Sequence, residues 1–196
     1  VLRLECVLAG GCRTGARRDT VGYVLEAEPA GLDPAMRTAL PENKVELQLF
    51  EGLTRLDEHN VPQPALASSW DISQDGKTYT FHLRDGIQWS DGVSITAYEV
   101  EYSWKRVMNP DTASENAYMM FCIDKAEAYF KRQVSADAVG VRGLDSKTLQ
   151  GRLKCPTANF LNLAAFHCYY PVPQRLAEAR PDTWASDSSD MVCSGP

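Results

Sequence analysis

The sequence predicts a mixed α/β fold of the α+β kind, and three observations carry that reading. Residues 78–84 alternate, with Tyr79, Phe81 and Leu83 on one side and Thr80, His82 and Arg84 on the other. That is the period of a half-buried strand. The preceding Gln74-Asp75-Gly76-Lys77 contains Asp-Gly, which takes up positive φ cheaply and so closes a hairpin onto residues 70–73. Ala97, Val100, Trp104, Val107 and Met108 then fall at helical spacing behind Thr96 and Glu99, a capping box.

The remaining elements follow in order. Residues 21–25 are a short apolar run of strand type, and residues 26–34 hold Pro29, Gly31 and Pro34, a loop. Pro41 and Glu42 open a helix that runs through Glu51. Val45 and Leu49 share one face, which Phe50 and Leu53 extend. Gly52 stands where a helix C-cap belongs. After the hairpin, Asp85-Gly86 and Asp91-Gly92 are turns around Trp89, and Asn109-Pro110 stops the capped helix. A further helix is expected from about Ser114 to Tyr129-Phe130. Strands are expected at 139–141 and 148–153, the second weakened by Gly151. Thr157 is expected to cap a helix containing Phe160, Leu161 and Ala164. Pro171-Val172-Pro173 reads as extended and 174–179 as helix. Trp70, Tyr79, Phe81, Trp89 and Trp104 are read as core, each contributing about 1.5–3 kcal/mol when buried. His82, on the polar strand face, is read as solvated.

Composition bounds the function classes. The 196 residues are 44% hydrophobic and 23% charged, enough for one core or a small domain plus part of another. A net charge of −6 at pH 7 lacks the basic face that nucleic acid requires. No stretch of about eighteen apolar residues is present, so no membrane-spanning helix is expected. There is no Gly-x-Ser-x-Gly, no HExxH and no phosphate loop, so no enzyme constellation stands out and no cofactor or metal is expected.

The six cysteines, Cys6, Cys12, Cys122, Cys155, Cys168 and Cys193, show no CxxC spacing. They read as small hydrophobes or incidental thiols, with any disulfide pairing left open. His167-Cys168 suggests a hydrolase dyad, but adjacent residues on an extended segment point apart. Leu8-Ala9-Gly10-Gly11-Cys12 resembles a bacterial lipobox with one extra glycine, which makes Cys12 a candidate lipidation site. The stretch before it carries Arg3 and Glu5, and the alternative is a truncated upstream segment. On the lipobox reading, residues 13–20 are a polar tether.

An ordered series of motifs resembles a known family. It runs through Leu32-Asp33-Pro34, then Leu49-Phe50-Glu51-Gly52-Leu53, Trp70, and Asp75-Gly76-Lys77-Thr78-Tyr79-Thr80-Phe81-His82-Leu83-Arg84-Asp85-Gly86. Trp89-Ser90-Asp91-Gly92, Thr96-Ala97, Tyr102-Ser103-Trp104-Lys105-Arg106, Asn109-Pro110 and Thr112-Ala113-Ser114 follow. Pro156-Thr157, Tyr169-Tyr170-Pro171-Val172-Pro173 and Ser194-Gly195-Pro196 complete it. The series resembles the family 5 solute-binding proteins, and most of all their oligopeptide-binding members.

The resemblance implies a two-lobed clamp of the type II periplasmic binding protein kind. Residues 1–20 would be the signal or lipoprotein remnant and tether, 21–50 and 174–196 parts of the first lobe, and 51–173 the family's extra domain. The second lobe would lie outside this sequence. It further implies a monomeric, extracytoplasmic binder that captures oligopeptides for the membrane subunits of an ABC importer, touching the membrane only through a lipid anchor. The same fold can hold a nickel chelate or an oligosaccharide. Thr38, Ala39 and Leu40 match the stretch whose backbone pairs with an extended peptide. The loop of Ser114, Glu115 and Asn116 is the second candidate for ligand contact. Asn116 stands where many relatives carry an aromatic.

Overall fold

A computed structural model describes residues 3–5, 20–22, 29, 31–36, 40–186 and 191–195. In chain order the elements are β1 (Arg3–Glu5), β2 (Thr20–Gly22), α1 (Leu40–Leu49), β3 (Thr54–Leu56), β4 (Pro62–Pro64), β5 (Ala67–Ile72), β6 (Thr78–Leu83) and α2 (Ala97–Met108). They continue with α3 (Ala126–Phe130), β7 (Val141–Gly143), β8 (Thr148–Arg152), α4 (Phe160–Leu163) and α5 (Gln174–Ala179). Short 3-10 turns at Ala117–Met120, Ala136–Ala138 and His167–Tyr169 punctuate the second half.

The centre is a four-stranded antiparallel sheet in the order β5-β6-β8-β7. Gly76 takes φ 67° in the turn between β5 and β6, the use foreseen for Asp-Gly. Tyr79, Phe81 and Leu83 are buried and Thr80 and His82 less so, while His82 Nε2 lies 2.8 Å from Asp71 on the outer face. Both bonds of the Thr96–Glu99 capping box are present at the start of α2. Trp104 on α2 is fully buried and donates its indole N–H to Tyr169 O at 2.8 Å. Its ring meets Tyr169, Phe160 and Phe81 edge-on, with centroids 5.0, 6.2 and 6.5 Å away. Such pairs add about 0.5–1.5 kcal/mol beyond area burial.

A second core draws on segments far apart in the chain. Phe50 joins Tyr170, Val172, Ala177, Trp184 and Ala185, with Leu32, Leu49, Tyr102 and Met191 packed against them. Residues 191–195 dock by main-chain bonds: Ser90 N–H donates to Cys193 O at 2.9 Å, and Gly195 N–H to Leu49 O at 2.7 Å. Trp89 sits in a small third cluster with Leu66, Ile95 and Val192, its indole N–H donating to Glu99 at 3.0 Å.

Several expectations need correction. The sequence foresees no strand before Val21, yet Arg3–Glu5 pairs antiparallel with Thr20–Gly22; the rest of the strand expected at 21–25 lies outside the described residues. Gly52 is not a left-handed cap. It is where backbones meet, since a Cβ there would stand 2.7 Å from Ala164 O and 3.0 Å from Thr54 O. The helix expected from 114 to 130 is split, because Lys125 adopts φ 58° and Ile123 instead bridges to Leu153. The strand expected at 139–141 begins at Val141, since Gly140 N–H turns to Asp124 O. Thr157 does not cap α4: its hydroxyl donates to Cys155 O, and only its carbonyl reaches Phe160 N–H. Gly151 leaves room that the Trp104 and Phe160 rings fill, a Cβ there lying 3.7 Å and 3.8 Å from them.

Candidate functional site

The site is built around the turn at residues 33–36. Asp33 is 6% exposed, and its carboxylate accepts four hydrogen bonds. Arg106 supplies two, at 2.9 and 2.6 Å, Trp184 Nε1 a third at 2.9 Å, and Ala35 N–H a fourth at 3.0 Å. Met36 N–H closes the turn onto Asp33 O, and Leu32 N–H donates to Ala185 O. A buried carboxylate is stable only when paired and bonded in this way. Thr38 and Ala39, which follow this turn, lie outside the described residues. Leu40 is the first residue of α1.

The second candidate loop meets the first directly. Ser114 is buried, and its hydroxyl donates to Ala35 O. The Ser114 Oγ in turn accepts Asn116 N–H at 3.3 Å. Asn116 is also buried, and its side-chain amide donates to His167 Nε2 at 3.3 Å. Of the three residues foreseen here, only Glu115 has an exposed side chain. Tyr118, just beyond, is 66% exposed and was not foreseen. Spacing alone could not separate it from the core aromatics around it.

The buried end of this network is neutral. Burial pushes the His167 pKa down to about 4. Its Nδ1 lies 3.9 Å from Glu46, a distance that would count as an ion pair only with a protonated ring. The desolvation that keeps the ring neutral is the stronger effect, and 3.9 Å is too long for a hydrogen bond. Burial likewise pushes the Cys168 thiol up to about 12, and its Sγ contacts Met119 rather than His167. These two side chains do not form a nucleophile–base pair. Cys122, Cys155, Cys168 and Cys193 carry free thiols. Cys12 lies outside the described residues. Among the described residues no cluster of His, Cys, Asp or Glu has the arrangement of a metal site, and no helix is long and apolar enough to cross a membrane.

His167 also lines an open groove of about 500 Å³ together with Asn43, Leu47, Phe50, Leu56 and Phe166. Leu47, Leu56 and Phe166 are exposed there. No expectation from sequence covers this groove, because its lining joins residues 43–56 to residues 165–170, more than a hundred positions apart.

A family model described as the bacterial extracellular solute-binding proteins, family 5 Middle, matches residues 61–196. The chain belongs to this family. The oligopeptide-binding protein OppA of Bacillus subtilis (strain 168) is 36% identical over 186 residues, 95% of this chain and 34% of OppA. The substrate-binding domain of an oligopeptide ABC transporter from Bacillus anthracis str. Ames superposes with a TM-score of 0.83 at 37% identity, covering 85% of this chain and 32% of that one. Listeria monocytogenes OppA bound to peptide superposes with a TM-score of 0.84 at 29% identity, covering 87% and 34%. The chain therefore spans about a third of the length of the relatives it matches. These family 5 relatives are solute-binding proteins, and their mixed α/β architecture is the one found here.

Proposed function

We propose that the chain supplies one wall of an oligopeptide cleft, in an extracytoplasmic receptor that hands peptides to the membrane subunits of an ABC importer. The observation that carries this reading is the likeness to Listeria OppA bound to peptide, a solved member of the same fold. Peptide would be met by the backbone of Thr38, Ala39 and Leu40 and, from the neighbouring loop, by Glu115. Main-chain hydrogen bonds give affinity for an extended peptide whatever its side chains. In this reading residues 21–50 and 174–196 belong to one lobe and residues 51–173 to a domain beside it. The edge-on packing of Phe50 against Trp184 supports grouping those two segments, while Tyr170 and Val172 of the adjoining domain close the same core. The chain acts by binding rather than catalysis, as a monomer, with Cys12 as its lipid anchor.

One wall binds weakly. Fixing each peptide residue loses about 1–2 kcal/mol of conformational entropy, and each net hydrogen bond returns about 0.5–1.5 kcal/mol. These terms roughly cancel, so the dissociation constant should be about millimolar or weaker. A nuclear magnetic resonance titration with a mixed tri- to pentapeptide pool tests the reading, with maltotriose and a nickel–histidine chelate as controls. Peptide-specific shifts gathered at residues 35–40 and 115 are expected. Shifts with a control and none with peptide would overturn the reading, and micromolar affinity would overturn the one-wall argument.

A further inference from the structure

Two thiols flank one antiparallel bridge beyond the end of β8. Ile123 pairs there with Leu153. Asp124 N–H donates to Arg152 O at 2.8 Å on one side of the bridge, and Lys154 N–H to Cys122 O at 2.9 Å on the other. Cys122 therefore stands opposite Lys154, one residue from Cys155. Residues opposite one another in such a ladder have Cα atoms about 5.5 Å apart, and one step along the strand adds about 3.3 Å at right angles. The two cysteine Cα atoms are then about 6.4 Å apart, within the span of about 4.4–6.8 Å that a disulfide bridges. In a straight ladder the two side chains would face opposite ways. The chain bends at Lys154 and Cys155, ahead of Pro156, and the alternation ends there. Burial raises the pKa of the Cys122 thiol, and the charge of the nearby Cys155 adds to the rise. The Cys122 sulfur is lightly held, with Tyr169 Oη at 3.8 Å and Met119 O at 3.9 Å as its polar contacts. Cys155 is exposed. The other described thiols are poorly placed to join them. Cys168 is 1% exposed and meets no oxidant, and Cys193 packs on the second core while Cys122 packs on the first.

From this geometry we infer that Cys122 and Cys155 are a disulfide-forming pair, oxidised by a small-molecule or protein disulfide, whose bond staples the turn before α3 to the end of β8. The family to which the chain belongs is described as extracellular, a setting in which disulfides persist. The inference is independent of what the cleft binds. Cys155, the exposed thiol, attacks first as its thiolate: it breaks the S–S bond of the oxidant, forms a mixed disulfide and releases one thiol. Cys122 then gives up its proton, attacks the Cys155 sulfur and expels the second thiol. The protein loses two electrons and two protons, and the oxidant ends as two thiols. The new bond closes residues 122–155 into a ring that holds α3, β7 and β8. The one-pair bridge of Ile123 and Leu153 gains a covalent neighbour.

The reduced, folded chain is incubated with oxidised glutathione, the remaining thiols are blocked, and an unreduced digest is mapped by mass spectrometry. Two peptides joined through Cys122 and Cys155 within one chain are expected. The urea midpoint should rise by about 1–2 M over the reduced chain and fall back on reduction, the shift for a bond that closes a ring of this size. Cys155→Ser should abolish both the joined peptides and the shift. Cys122→Ser should instead leave glutathione attached to Cys155, the first half of the reaction without the second. If Cys122→Ser fails to fold, the unaltered chain and Cys155→Ser decide, since Cys155 is exposed and its replacement disturbs no core. Both thiols remaining free overturns the inference. So does glutathione held stably on Cys155 of the unaltered chain, a bond from Cys155 to any other cysteine, or a joined pair with no rise in the midpoint.

Discussion

Adding one methyl group at two glycines should move stability in opposite directions. At Gly52 a Cβ would lie 2.7 Å from Ala164 O, 3.0 Å from Thr54 O and 3.0 Å from the Tyr170 ring. Two of those obstacles are backbone and cannot rotate away. Relief requires α4 and β3 to part, an overpacking of the kind that costs about 1–3 kcal/mol. At Gly151 the nearest atoms are ring carbons at 3.7, 3.8 and 3.9 Å, ordinary contact distances, and the residue does not adopt positive φ. Alanine there fits as built and narrows the unfolded ensemble, a gain of about 0.4–1 kcal/mol. Gly52→Ala and Gly151→Ala should therefore differ by about 1.4–4 kcal/mol. With a urea slope of about 2 kcal/mol/M, the two midpoints should lie about 0.7–2 M apart, on either side of the unaltered chain. Tryptophan fluorescence in urea reads this directly, since Trp104 sits against Gly151 and Trp184 shares a core with Tyr170. If both variants shift the same way, or if Gly52→Ala is at least as stable as the parent, the close-approach argument is wrong.

Three other outcomes follow from the site and the division of the chain. His167 has a folded pKa of about 4, below its ordinary 6.5, so the unfolded chain takes up the proton first and stability falls as pH drops from about 6.5 to about 4. The loss should reach about 2–3 kcal/mol, and His167→Gln should remove it. If the stability difference between parent and variant is the same at neutral pH and near pH 4, His167 is not the group responsible. Cys12→Ala should release the protein from the membrane fraction of bacteria producing it without altering its circular dichroism; unchanged fractionation would rule out Cys12 as an anchor. Limited proteolysis should leave a fragment near residues 51–173, and early cuts within residues 78–108 would refute a compact unit there.

The legible parts of the fold were those written locally. Asp75-Gly76 announced the hairpin, the alternation of Tyr79, Phe81 and Leu83 gave its inner face, and Thr96 with Glu99 gave the start of α2. Capping and turn chemistry act over three or four residues, so sequence carries them. What escaped was decided at long range. Gly52 looked like a helix cap, yet its need arises from Ala164, more than a hundred positions away. The helix expected beyond Ser114 failed because Ile123 found a strand partner in Leu153. The same division runs through the site. Leu32-Asp33-Pro34 marked a turn, but the hydroxyl of Ser114 turns inward to Ala35 and Asn116 turns inward to His167. No local pattern encodes which way such polar side chains face.

The second core has a consequence for how the chain is made. Leu32, Leu49 and Phe50 emerge from the ribosome early, yet their partners Tyr170, Val172 and Trp184 emerge about 120 or more residues later. At about 5–20 residues per second, that leaves on the order of ten seconds in which those apolar side chains have nowhere to go. The sheet of β5 to β8 and the helix α2 can close in that interval, because all strand pairings of the sheet and most of the main core lie within residues 67–170. Synthesis should therefore pass through a state with a finished centre and an unclosed flank. Until Tyr170, Val172 and Trp184 arrive, that flank stays open to any other apolar surface it meets.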